Sequence, residues 1–114
     1  MEIKVYAGEV WFVDFPYEED PAHIIQRPVV VLSEIDNQGT LEVLSVKVTS
    51  KDPRDEYDVP IIKYTEAGLR LKSVARTSKA IRLNKDYFIK KFGELDELDL
   101  ESIIEAYKRY LENN

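Results

Sequence analysis

The sequence predicts a mainly β domain: six to seven short strands in a strongly bent antiparallel sheet or small β-barrel, followed by one C-terminal α-helix. Two features carry that expectation. Short runs of β-branched and aromatic residues alternate with turn chemistry along most of the chain, and branching at Cβ suits a pleated backbone better than a helix. Only in the last stretch does the apolar period change from two to about 3.6 residues.

The first confident strand is Gly8-Glu9-Val10-Trp11-Phe12-Val13-Asp14-Phe15, closed by Pro16. Before it, residues 1–5 alternate loosely and read as a ragged strand or an arm. Residues 17–26 read as a loop, with Glu18-Glu19-Asp20-Pro21 as its turn. The second strand, residues 27–33, is apolar at odd and even positions, as expected of a central strand covered on both faces. Proline cannot donate to a ladder, so Pro28 is expected among its first residues.

Asp36-Asn37-Gln38-Gly39 then turns the chain into a third strand, residues 41–49. A turn centred on Gln38 pairs Val29 with Lys47, Val31 with Ser45 and Arg27 with Thr49. Even-numbered Val30, Leu32, Leu44, Val46 and Val48 then share the core face. Arg27, Lys47 and Thr49 share the other, opposite residues lying about 5 Å apart.

Further on, residues 57–62 read as an edge strand because of Pro60, and Thr65-Glu66-Ala67-Gly68 as a helical turn ended by glycine. Residues 71–76 and 79–83 read as two strands, while 88–95 fits strand or helix. Asp96 or Asp99 can cap the last element, with Lys108 and Arg109 expected in its final turn. Leu100, Ile103, Ile104, Tyr107 and Leu111 mark the helix face that packs on the sheet.

A chain of 114 residues bounds this to one domain, residues 1–114. No apolar run approaches the roughly 18 residues of a membrane helix. With no cysteine there is neither disulfide nor thiolate chemistry, and a cytoplasmic location is the simplest expectation. A net charge of −6 argues against indiscriminate binding to nucleic acid. The charge is uneven, however. Lys63, Arg70, Lys72, Arg76, Lys79, Arg82 and Lys85 face only Glu66 in their stretch, with Ser73, Thr77 and Ser78 interleaved. A basic middle in an acidic protein suits one phosphate-bearing groove; a solvated charge run is the blander alternative.

Metal chemistry is not expected. His23 is the sole histidine, and the acids of residues 18–20 and 52–58 read as turn residues facing water. Neither a glycine-rich phosphate loop nor a nucleophile elbow is present. The better candidate is Arg27 beside Thr49, a planar fork of donors matched to phosphate with a hydroxyl next to it. From spacing alone, an arginine held by a loop carboxylate and a threonine ending its strand remain the commoner reading.

Four blocks of the chain resemble the MazF/PemK (Kid) family of type II toxin–antitoxin endoribonucleases. They are Gly8-Glu9-Val10-Trp11-Phe12-Val13-Asp14-Phe15, Arg27-Pro28-Val29-Val30-Val31-Leu32-Ser33, Val48-Thr49-Ser50, and Gly68-Leu69 through Ser73 to Ile81, followed by Gly93 and the terminal helix. The resemblance implies an SH3-like barrel, a homodimer, and cofactor-free, metal-independent cleavage of single-stranded mRNA to 2′,3′-cyclic phosphate and 5′-OH ends. It further implies a cognate antitoxin as partner, with DNA reached only through that antitoxin. Arg27 and Thr49 match the family's arginine and threonine. Arg76 matches an arginine proposed as proton acceptor in one branch; a pKa above about 12 makes a poor base, so an electrostatic role is expected. Lys47, Ser50, Ser78, Lys79 and His23 are the expected substrate contacts.

Departures from the pattern are Ser78, where several members carry aspartate, and an acidic loop without glycine before Arg27. His23 is also offset from the histidine that some members use. The rival reading is a non-catalytic toxin or binding module on the same fold, such as a CcdB-like gyrase inhibitor or a lapsed nuclease. A plain SH3-like protein-interaction module is the third.

Overall fold

The structure, a computed structural model, describes residues 3–16, 19, 20 and 22–114. The expectations for Met1, Glu2, Tyr17, Glu18 and Pro21 lie outside the described residues. The branched and aromatic runs become six strands: β1 (Glu9–Pro16), β2 (Ile24–Asn37), β3 (Thr40–Thr49), β4 (Asp58–Ile61), β5 (Ser73–Asn84) and β6 (Phe88–Glu94). A single 3-10 turn, Lys85–Tyr87, joins the last two, and α1 (Glu97–Asn113) follows. All strand pairs are antiparallel, in the spatial order β4-β5-β3-β2-β1-β6.

The β2–β3 hairpin turns at Gln38 and Gly39, both at positive φ (53° and 88°), as a two-residue primed turn requires. Asn37 therefore faces Thr40, one step from a turn centred on Gln38. A bulge between Val31 and Ser33 shifts the register back. Val29 consequently faces Lys47 and Val31 faces Ser45, the expected pairs reached through two offsetting departures. The β2–β3 ladder stops there. Arg27 is paired with Val13 of β1, and Thr49 with Val74 of β5.

Pro28 lies not at the start of its strand but four residues in, opposite Phe12. It is tolerated because the β3 ladder begins only at Val29, so on that side Pro28 stands at a local edge.

Both faces of the hairpin are cores. Val10, Val30, Val46, Val48, Ala75 and Ile103 of α1 form one cluster; Trp11, Val13, Phe15, Val29, Val31, Val43, Leu83 and Phe88 form the other. The odd-numbered face thus carries apolar Val29, Val31 and Val43 with Lys47 and Ser45 directly across from Val29 and Val31, and Arg27 and Thr49 lie beyond the paired residues. Residues 3–6 form an arm, not a strand, and Val5 buries itself in the second cluster.

The expected strands 71–76 and 79–83 are one strand, β5, interrupted by a wide bulge: Val46 faces Ala80, but the next residue, Lys47, faces Arg76. Thr77, Ser78 and Lys79 loop out between. Residues 88–95, ambiguous in sequence, contain β6.

The sheet does not close into a barrel. β4 and β6 are its two edges, and where a closing ladder would run, the turn-rich segment 62–69 packs backbone against β6. A Cβ at Gly68 would lie 2.2 Å from the Phe92 carbonyl oxygen, and one at Gly93 would lie 2.6 Å from that of Ala67. Glycine is required at both positions by this approach, and Gly68 also sits at φ 85°.

Asp96 caps α1, accepting from the Leu98 N–H at 3.0 Å. Asp99 accepts from the backbone of Ile62 (3.1 Å) and Lys63 (2.9 Å), tying the helix to segment 62–69. Ile103 and Ala106 face the sheet, whereas Leu111 is exposed. The helix continues to Asn113, so Lys108 and Arg109 do not lie in its last turn, which has no basic residue.

Candidate functional site

Arg27 from β2 and Thr49 at the end of β3 come together in a cleft of about 690 Å³. Ser50 and Ser73 add hydroxyls, Arg70, Lys90 and Lys91 add positive charge, and Leu69, Leu71 and Phe92 add apolar surface. Among the described residues, no carboxylate lines it. Arg27 is half-buried, with its guanidinium 5.6 Å from the centre of the Phe15 ring, a cation–π contact that restricts where the fork can point.

Lys91 is held from behind. Glu9 and Glu94 stand opposite each other across the β1–β6 ladder, where like charges repel. The Lys91 ammonium bridges them, at 2.9 Å from Glu9 Oε2 and 3.0 Å from Glu94 Oε1. Glu9 is buried and also accepts from the Tyr6 N–H and Trp11 Nε1, each at 2.9 Å. Burial pushes the Glu9 carboxyl up, but the hydrogen bonds from Trp11, Lys91 and Tyr6 outweigh it and hold the group below its ordinary value. The hydrogen bond to Glu9, then that to Glu94, raises Lys91, which stays protonated.

The other expected residues divide. Arg76 is 2% exposed and does not line the cleft. Its guanidinium is in a short ion pair with Asp58, its ladder neighbour on β4, and Asp58 Oδ2 also accepts from the Arg54 N–H at 2.8 Å. In the bulge, Thr77 is anchored by its N–H (3.1 Å) and Oγ1 (2.7 Å) to the Tyr57 carbonyl. Lys47 and Lys79 share a second, smaller pocket of about 180 Å³ with Arg54, Glu19, Phe15, Pro16 and Ile25. Ser78 is half-buried in the bulge and lines neither pocket; His23 is exposed just before β2 and lines neither.

Of the seven cations in the basic middle, only Arg70 reaches the cleft. Lys63 pairs with Asp96 at 3.3 Å and Lys85 with Glu34 at 3.2 Å. Lys90, Lys91, Leu71 and Phe92 were not among the expected contacts. The signal for the lysines was their adjacency in a stretch that reads equally as strand or helix. Among the described residues, no group of three or more His, Asp or Glu side chains is placed to hold a metal ion. No described helix is long and apolar enough to cross a membrane.

Several solved structures share the architecture. One is an endoribonuclease in complex with its cognate antitoxin from a mycobacterial species, with a TM-score of 0.73 and 19% identity over 97% of this chain and 98% of that one. Another is the Mycobacterium tuberculosis toxin MazF-mt6 (TM-score 0.70, 14% identity, 91% and 96% covered). A third is a chain of the MazE–MazF complex of Deinococcus radiodurans (0.67, 16%, 96% and 97%). At these identities the likeness is one of fold. No curated protein matches the chain in sequence. The family model for the PemK-like, MazF-like toxin of type II toxin–antitoxin systems, however, matches residues 6–111, nearly the whole length and all four of the blocks that carry the resemblance, and the chain belongs to that family.

Proposed function

We propose that this protein is a toxin that cleaves single-stranded RNA without a metal ion. The observation carrying this reading is the convergence of Arg27 and Thr49, from neighbouring strands, on a basic cleft that no described carboxylate lines. The ribose 2′-OH attacks the adjacent phosphorus and the P–O5′ bond breaks, leaving a 2′,3′-cyclic phosphate and a 5′-OH. Arg27 donates to the non-bridging oxygens, where charge grows in the transition state. The Thr49 hydroxyl donates to the same phosphate and orients it. Ser50 lies beside them, while Arg70, Lys90 and Lys91 hold flanking phosphates.

Among the described residues the cleft lining contains no histidine or carboxylate, and Lys91 is raised by its hydrogen bonds to Glu9 and Glu94. The 2′-OH gives up its proton as it attacks, and the 5′ oxygen takes one up as it leaves. Arg76, buried against Asp58, belongs to the scaffold on this reading. The protein acts on mRNA in the cytoplasm as a homodimer, and a cognate antitoxin, like the partners named for two of the similar structures, covers the cleft.

The test is digestion of a long single-stranded RNA in EDTA, with end-group analysis. Cyclic-phosphate and 5′-OH ends are expected. Arg27→Ala and Thr49→Ala should each lower kcat by about 10²–10³, the usual effect of losing one preorganised donor. Intact RNA from folded wild-type protein would exclude the nuclease and leave the non-catalytic toxin.

A further inference from the structure

Lys91 lines two cavities, the cleft and a neighbouring pocket of about 540 Å³ that Glu94 also lines. A bulge puts it there. Gly93 faces Val10, but the next pair is Lys91 with Trp11, so Phe92 is left over on β6. Side chains three apart on a regular strand point to opposite faces, and the extra residue brings Lys91 and Glu94 to the same one. The ammonium is shared between Glu9 Oε2 at 2.9 Å and Glu94 Oε1 at 3.0 Å.

Those two carboxylates are held unequally. Glu9 is 5% exposed and also accepts from the Tyr6 N–H and the Trp11 indole, so its position is fixed. The Glu94 side chain is 69% exposed, and exposed ion pairs are weak enough to exchange. A phosphodiester oxygen can replace a carboxylate oxygen on an ammonium, since both are anionic acceptors of a charge-assisted hydrogen bond.

We propose that Glu94 occupies a phosphate subsite at Lys91 in the free protein, and that an RNA phosphodiester displaces it while Glu9 keeps the ammonium on the cleft wall. The inference rests on the ribonuclease reading of the cleft and deepens it: Lys91 takes a flanking phosphate by giving up Glu94. Glu94 thereby lowers the affinity for RNA. Tethered three residues from Lys91, it competes at high effective concentration and returns to the ammonium as the cleaved strand leaves.

Fluorescence anisotropy with a 2′-O-methyl oligonucleotide, which lacks the attacking hydroxyl, reads affinity apart from cleavage; the matching RNA is assayed for cleavage alongside. Glu94→Gln should bind about two- to fivefold tighter than wild type, the usual contribution of one exposed ion pair, and the gain should shrink as salt rises. Lys91→Met should bind more weakly, and adding Glu94→Gln to it should bring no such gain. Glu97→Gln, at the exposed start of α1, removes the same charge nearby and should leave affinity near that of wild type. No gain in Glu94→Gln, an equal gain in Glu97→Gln, or a gain that survives Lys91→Met overturns the proposal. The expected pattern of affinities without cleavage of the matching RNA would sink the nuclease reading and leave the exchange standing; no binding by any of these proteins would sink both.

Discussion

Arg27 and Arg76 are the same side chain in different surroundings, and burial assigns their tasks. Arg27 is half-buried where it lines the cleft, with its guanidinium over the Phe15 ring. Arg76 has its charge matched by Asp58, which is itself almost fully buried. Asp58→Ala leaves that guanidinium buried without its counter-charge and also releases the Arg54 backbone. A loss of about 3–5 kcal/mol is expected in urea denaturation. An unchanged midpoint would show that Arg76 reaches solvent.

Glu9 gives a second prediction at this scale. Its folded-state pKa is depressed, so it contributes stability that is fully present above its ordinary value of 4.5 and lost as pH falls through the folded value. Wild-type protein should lose stability on acidification below about pH 4.5, and Glu9→Gln should lose less over that window. Chemical denaturation at a series of pH values reads the difference. Parallel curves for the two proteins would place the acid sensitivity elsewhere.

At the scale of elements, β4 and β6 remain sheet edges because segment 62–69 occupies the place of a closing ladder. That packing depends on the bare Cα atoms of Gly68 and Gly93. Alanine at either position drives a methyl into a backbone carbonyl, which cannot swing aside as a side chain can. A cost of about 1–3 kcal/mol is expected, and more at Gly68 because of its positive φ. Leu69, Arg70 and Leu71, next in the chain, line the cleft. Gly68→Ala should therefore also raise the KM for RNA, whereas Gly39→Ala at the hairpin tip, with nothing within 4 Å of its Cβ, should affect stability alone. Equal effects of both on KM would separate the cleft from this packing.

Across the whole molecule, a net charge of −6 coexists with a cleft lined by Arg27, Arg70, Lys90 and Lys91. Several surplus acids are drawn into ion pairs: Asp96 with Lys63, Glu34 with Lys85, Glu105 with Arg109. Phosphate contacts release counterions, so RNA affinity should fall steeply with salt. Lys90→Ala should reduce the log–log slope by about 0.7, the contribution of one contact to a single strand. An unchanged slope would remove Lys90 from the RNA path.

The amino-acid sequence by itself determined the local order of this protein. Branched runs made strands, Gln38-Gly39 made the hairpin turn, and Asp96 with a 3.6-residue apolar period made the helix. These outcomes rest on neighbours a few residues apart, and the hairpin register that sets Val29 opposite Lys47 is nearly as local. Only the tertiary structure decided what the sheet's ends do. Closure is replaced by a backbone approach between Gly68 and Gly93, invisible to periodicity because it joins segments distant in the chain. The same holds for the charges. Seven cations form one run in sequence, yet Arg76 and Lys85 are buried and Lys63 is ion-paired. Lys90 and Lys91 come to the cleft from a strand whose type the sequence left open, because a side chain's partner is set by which strands lie side by side.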